Sequence, residues 1–97
     1  QGIEQDYVDA FYWYAKAAKQ GQANAQFSLG ELYLDGAGTE QDFVRAYAWI
    51  AVVTRAGIES AEFVLEEIEL EMLPGQLEQA HKLAEQLWGK YGSNSGD

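Results

Sequence analysis

The 97-residue chain has no cysteine, one proline, one histidine, and six lysines and arginines against sixteen aspartates and glutamates. Without cysteine there is no disulfide, no thiol nucleophile and no thiolate metal site, and the redox compartment stays open. The shortage of bases gives a formal net charge of −10 at pH 7 and argues against nucleic acid as a partner. No Lys/Arg stripe is available to neutralise phosphates, and an anionic duplex or membrane surface repels such a chain. No apolar run approaches the roughly 18 residues that a membrane span needs, so membrane insertion is not expected. What the chain does have is an ordinary apolar share of 47%, enough for a folded core and against disorder throughout. Its length allows one compact domain at most, or a piece of a larger one. Four of its aromatics, Phe11, Tyr12, Trp13 and Tyr14, stand side by side, as a binding platform or as contiguous core.

Sliding the chain against itself by 36 residues aligns GIEQDYVDAFYWYA (2–15) with GTEQDFVRAYAWIA (38–51). Further on, Gly21 falls on Gly57, Ala25 on Ala61, Phe27 on Phe63 and Leu29 on Leu65. A fixed period of this length marks a repeat architecture. Each unit reads as a helical hairpin. Asp6 and Asp42 are placed as N-caps, where a carboxylate accepts from the free N–H groups of the first turn. The first helices carry apolar residues at 7, 10, 14, 17 and 18 and at 43, 46, 50 and 53, a helical spacing. Gly21 and Gly57 end them, where a left-handed residue is wanted. The second helices carry the stripes Ala25, Leu29, Leu32, Gly36 and Ala61, Leu65, Ile68, Met72. DGAGTEQD (35–42) is the turn between units. Pro74 suits the first turn of a fifth helix, striped by Leu77, Ala80, Ala84, Leu87, Trp88 and Tyr91, and GSNSGD (92–97) reads as a polar, frayed tail.

Asp6-Tyr7, Ala10, Trp13-Tyr14, Ala17-Ala18, Gly21, Ala23, Ala25-Gln26, Leu29-Gly30, Tyr33 and Gly36-x-Gly38 resemble the Sel-one-like repeat, a relative of the tetratricopeptide repeat. The resemblance covers about 2–72, and EMLPGQLEQAHKLAEQLW looks like the closing helix that often follows the last such repeat in bacterial members. The second unit departs from the pattern at Ile50, Val53-Thr54 and Glu66. The resemblance implies an all-α superhelix of stacked antiparallel helical hairpins, used for protein–protein contact. The expected division is a first repeat over 1–37, a second, degenerate repeat over 38–73, a capping helix over 74–91 and the tail. Because about three units are usually needed for stability, and Gly2-Ile3 looks like the end of a preceding turn, the chain reads as the C-terminal part of a longer array. No signal peptide is visible, but Gln1 reads as a cut point, so bacterial periplasm or envelope and cytoplasm both stay open.

No chemistry-bearing constellation emerges. His81 has no second histidine or cysteine to share a metal with. Ser28, Ser60 and Thr54 lack a base and match no nucleophile motif, and GELYLDGAG lacks a phosphate-loop lysine. The six glutamates of 59–71 interleave with a helical stripe and read as a solvated face rather than an ion-binding loop. No cofactor and no metal are therefore expected, and an acid-dependent hydrolase is the remotest alternative. On the helical wheel Tyr14 belongs to the core, Trp13 to the seam between hairpins, and Phe11 and Tyr12 to the outside. One flank presents Val8, Phe11, Ala15 and Lys19 in the first unit and Val44, Tyr47, Ala51 and Arg55 in the second. Aromatics followed by a cation suit a peptide or helix groove. These eight residues and Tyr12 are the candidate contacts for a protein or peptide partner on the concave face. The alternative is a structural spacer, or self-association through an exposed N-terminal edge.

Overall fold

The computed structural model describes residues 2–92, with side chains from residue 5 onward; the remainder of the polar tail lies outside the described residues. The described residues form five α-helices and no strand: α1 (Gly2–Ala18), α2 (Ala23–Asp35), α3 (Phe43–Arg55), α4 (Ala61–Glu69) and α5 (Pro74–Tyr91). Together they make an all-α helical-repeat superhelix, in which no hairpin buries its apolar stripe alone and each leans on its neighbour.

The turns follow from local chemistry. Gly36 closes α2 in the left-handed region, at φ 68°, with its N–H donating to the Leu32 carbonyl. The chain is then held close to α2, because the Asp42 N–H donates to Tyr33 O at 2.9 Å and Gln41 Nε2 donates to Leu34 O at 2.7 Å. Asp42 begins α3 by accepting from the Arg45 N–H at 2.9 Å. Pro74 occupies the first turn of α5, where its missing N–H costs nothing. Gln76 Oε1 reaches back to accept from the Leu73 N–H at 3.0 Å.

The central element is α3, which packs against α2, α4 and α5. Ala46, Tyr47, Ala48, Trp49, Ile50, Val52 and Val53 of this helix are all buried. Gly30 of α2 permits the close approach: a Cβ there would stand 2.6 Å from Ile50 Cγ1, which overpacks the seam. One core cluster joins Ile50 and Val53 to Ala61, Leu65, Ile68 and Ala80. The other joins Trp49 to Ala18, Ala25 and Leu29, with Phe11, Ala15, Leu87 and Tyr91 packed against it. Buried Gln26 ties the two ends of the second cluster, donating to Ala18 O at 3.0 Å and to Tyr91 O at 2.8 Å.

Three expectations are corrected. Asp6 does not cap α1, because that helix already begins at Gly2 and Asp6 lies within it. At Asp42 a turn must bring the chain from α2 to α3, so a helix start is forced there and not at Asp6. Tyr14 is not core and Trp13 is not in a seam between hairpins: they are 40% and 62% exposed. Among the described residues α1 packs closely against α2 alone, so nothing stands over the face that these two rings share.

Candidate functional site

The structure does not bring the nine expected contact residues together on one open face. In the second unit, α5 lies across the row. Tyr47 is buried, and its hydroxyl donates to Glu69 Oε2 at 3.0 Å and lies 3.2 Å from His81 Nε2. With its own proton given to Glu69, the phenol oxygen has only acceptor capacity left, which makes the His81 Nε2–H the donor. Burial first, then the hydrogen bond to Glu69 and its charge, push the Tyr47 hydroxyl up to about 12. Arg55 donates to Glu85 Oε2 at 3.1 Å and its guanidinium stands 4.8 Å from the Trp88 ring centroid. Val44 and Ala51 are half-buried against the same core cluster. Only a narrow cleft of about 180 Å³ remains beside Tyr47, Ala51 and Arg55.

In the first unit, among the described residues, no helix lies across the same row. Val8, Tyr12 and Lys19 are exposed, while Phe11 and Ala15 are half-buried. Phe11 forms the wall by packing edge-on against Tyr33, with ring centroids 5.3 Å apart. The row ends at a second cleft, of about 270 Å³, lined by Lys19 from the end of α1, Tyr33 from α2, Arg45 and Trp49 from α3, and Lys90 and Tyr91 with their neighbours from α5. Sequence reasoning found Lys19 and missed Arg45, Tyr33 and Lys90. These residues are far apart along the chain, and only the crossing of α5 over α3 joins them. The repeat register hides the cluster as well, since Arg45 stands where the first unit has Asp9 and Tyr33 where the second has Glu69.

Among the described residues no group of three or more His, Cys, Asp or Glu is placed to hold a metal ion. No described helix is long and apolar enough to cross a membrane. Glu62, Glu66 and Glu67 of α4 are exposed, the solvated face expected of them, whereas Glu69 turns a carboxylate oxygen to the Tyr47 hydroxyl.

A family model, the Sel1 repeat, matches residues 1–22 and 23–51, just over half of the chain. Among solved structures, the chain is similar to the crystal structure of c5321, a protective antigen present in uropathogenic Escherichia coli strains displaying an SLR fold. The identity is 34% and the TM-score 0.85, over 89% of this chain and 19% of that one. The chain thus spans about a fifth of the length of the protein it matches. No curated protein matches it. Sel1 repeats are generally protein-interaction modules. The chain belongs to the Sel1 repeat family.

Proposed function

We propose that the chain is a non-catalytic interaction module whose partner, a helical or extended segment of another protein, lies along Val8, Phe11, Tyr12, Ala15 and Lys19 of α1. One observation carries this reading. The equivalent row of α3 already holds a helix, α5, through contacts at Tyr47 and Arg55, while among the described residues the row of α1 has none across it. A row of this design therefore seats a helix, and α1 offers a second copy of it with an aromatic wall and a terminal cation. Amphipathic aromatics with a nearby cation are the usual anchors of such grooves. The test compares the two rows. A V8S/Y12S chain, altered only at exposed positions, loses a captured and then purified partner by tenfold or more, whereas R55Q, under α5, leaves the affinity within twofold. Equal affinity of V8S/Y12S and wild type sinks the reading.

A second reading has its own observation. Trp49 and Ile50 of α3 are buried against Ala25, Leu29 and Gly30 of α2, whereas their counterparts Trp13 and Tyr14 of α1 are exposed. That open face fits a helix of the α2 type, from another repeat unit or another copy, and makes the chain a spacer or self-association element. Sedimentation across a concentration series decides: a strict monomer at high concentration removes the self-association form.

A further inference from the structure

Three of the six lysines and arginines of this chain, Lys19, Arg45 and Lys90, stand around a single cleft, and among the described residues no aspartate or glutamate lines it. In a chain with sixteen acids that exclusion is the observation to explain. Arg55, which repeats Lys19 one unit along, is paired with Glu85 at 3.1 Å. Within the cleft Arg45 gives one guanidinium nitrogen to Asp42 at 2.9 Å. That bond orients the guanidinium and leaves further N–H donors. Lys19 and Lys90 make no ion pair with the described residues. Like charges gathered round one concavity repel one another, and an anion placed between them turns that repulsion into attraction.

The walls are preorganised. Trp49 and Tyr91 stack with ring centroids 5.8 Å apart and planes at 23°, and the Tyr91 carbonyl is held by buried Gln26. Tyr33, fixed by Phe11, stands beside them. Burial holds the Tyr33 hydroxyl above its ordinary range, with Arg45 opposing and the Asp42 charge adding to the rise, so it keeps its proton at neutral pH and has it to donate. Leu83 and Leu87 complete an apolar floor.

We infer that this cleft, between α1, α3 and α5, binds a carboxylate of the partner segment, with an adjoining apolar side chain laid on Tyr33 and Leu87. The inference rests on the reading of the α1 row as a groove, since Lys19 belongs to both. It also sets the polarity of the ligand: a chain of net charge −10 selects its partner's bulk by one sign and its anchor by the other. The carboxylate is either the C-terminus of the partner or an internal Asp or Glu.

The test is a nitrogen-15 NMR titration of the full chain with three acetylated tetrapeptides. The first is Ala-Leu-Ala-Leu with a free C-terminus, the second is its C-terminal amide, and the third is the amide with Glu at its third position. The expected result is saturable movement of the Trp49 indole and Lys90 amide signals by the first or the third peptide, at least fivefold tighter than the second. Whichever binds identifies the source of the carboxylate. K19Q/K90Q, which leaves the Asp42–Arg45 pair intact, weakens that binding tenfold or more with an unchanged melting temperature. Added salt weakens it too, because the Debye length shrinks from about 10 Å at 0.1 M to about 3 Å at 1 M. Equal binding of all three peptides, no saturable shift, or an unchanged K19Q/K90Q titration each overturns the inference. The groove fails separately: if V8S/Y12S retains the partner while K19Q/K90Q loses the carboxylate peptide, the cleft stands and the groove along α1 does not.

Discussion

Trp13 and Trp49 occupy the same place in successive repeats, yet one is 62% exposed and the other 5%. Their neighbours diverge in the same way: Tyr12 is 55% exposed and its counterpart Ala48 is fully buried. The two helices carry closely similar apolar spacing and share Val, Ala, Trp and Ala in register, and the tryptophan itself is the same in both. The difference lies in what is stacked on them. Helix α3 has α2, α4 and α5 around it, and α1 has α2. A residue's role in a repeat protein is therefore set by its position in the stack as much as by its position in the unit. The large aromatics of α1 show the cost of that rule, because the pattern that makes core in one unit makes open apolar surface in the next.

The largest test of this contrast is the tryptophan pair. Trp49→Ala removes a ring buried among Ala18, Ala25 and Leu29 and stacked on Tyr91, which costs about 3–5 kcal/mol. Trp13→Ala removes a ring with little burial and changes stability by less than about 0.5 kcal/mol. Urea denaturation of both variants and wild type measures the pair. Comparable losses at the two sites would mean that α1 is covered in solution as α3 is.

The five helices are legible in the sequence for a physical reason: their apolar residues recur at helical spacing, and Asp42, Gly36 and Pro74 punctuate them by local rules that need no distant partner. The stack itself is not legible in the same way. Trp13 and Tyr14 are read as seam and core because the periodicity says which face is apolar, without saying whether anything covers it. The path of α5 depends on contacts such as Gln26 to Tyr91, 65 residues apart, which no window of sequence contains. The candidate groove is half legible for that reason. Phe11 and Lys19 follow from the repeat and Tyr12 from the helical wheel, whereas the burial of Tyr47 under α5 and the gathering of Arg45 and Lys90 beside Lys19 follow only from the fold.

A smaller effect separates Asp6 and Asp42, which occupy matching positions in the repeat. Asp42→Ala frees the Arg45 N–H and loses the ion pair to its side chain, costing about 1 kcal/mol. Asp6, inside α1 and exposed, has no cap to lose, and Asp6→Ala stays within about 0.5 kcal/mol of wild type. Chemical denaturation of the two variants side by side checks this. An Asp6→Ala chain that loses as much as Asp42→Ala would place the start of α1 at Asp6 after all.

The smallest effect at neutral pH, and the most specific, belongs to the pair Phe11 and Tyr47, which differ by one hydroxyl. Tyr47→Phe gives the second unit the ring of the first and loses the hydrogen bond to Glu69, a cost of about 1 kcal/mol or less. The two chains separate further in alkali. In the folded chain Tyr47 holds its proton up to about pH 12, while an unfolded tyrosine releases it near pH 10. Between those values the folded state binds the proton that the unfolded state has lost, so the stabilisation is complete below about pH 10 and drains away as pH rises towards 12. Tyr47→Phe removes that part of the slope, leaving the shallower contribution of Tyr33, whose hydroxyl burial also raises. Denaturation midpoints taken across this window should therefore converge, with wild type losing its advantage as pH climbs. Parallel curves for the two chains would show that the Tyr47 hydroxyl titrates as a free phenol and that α5 does not bury it.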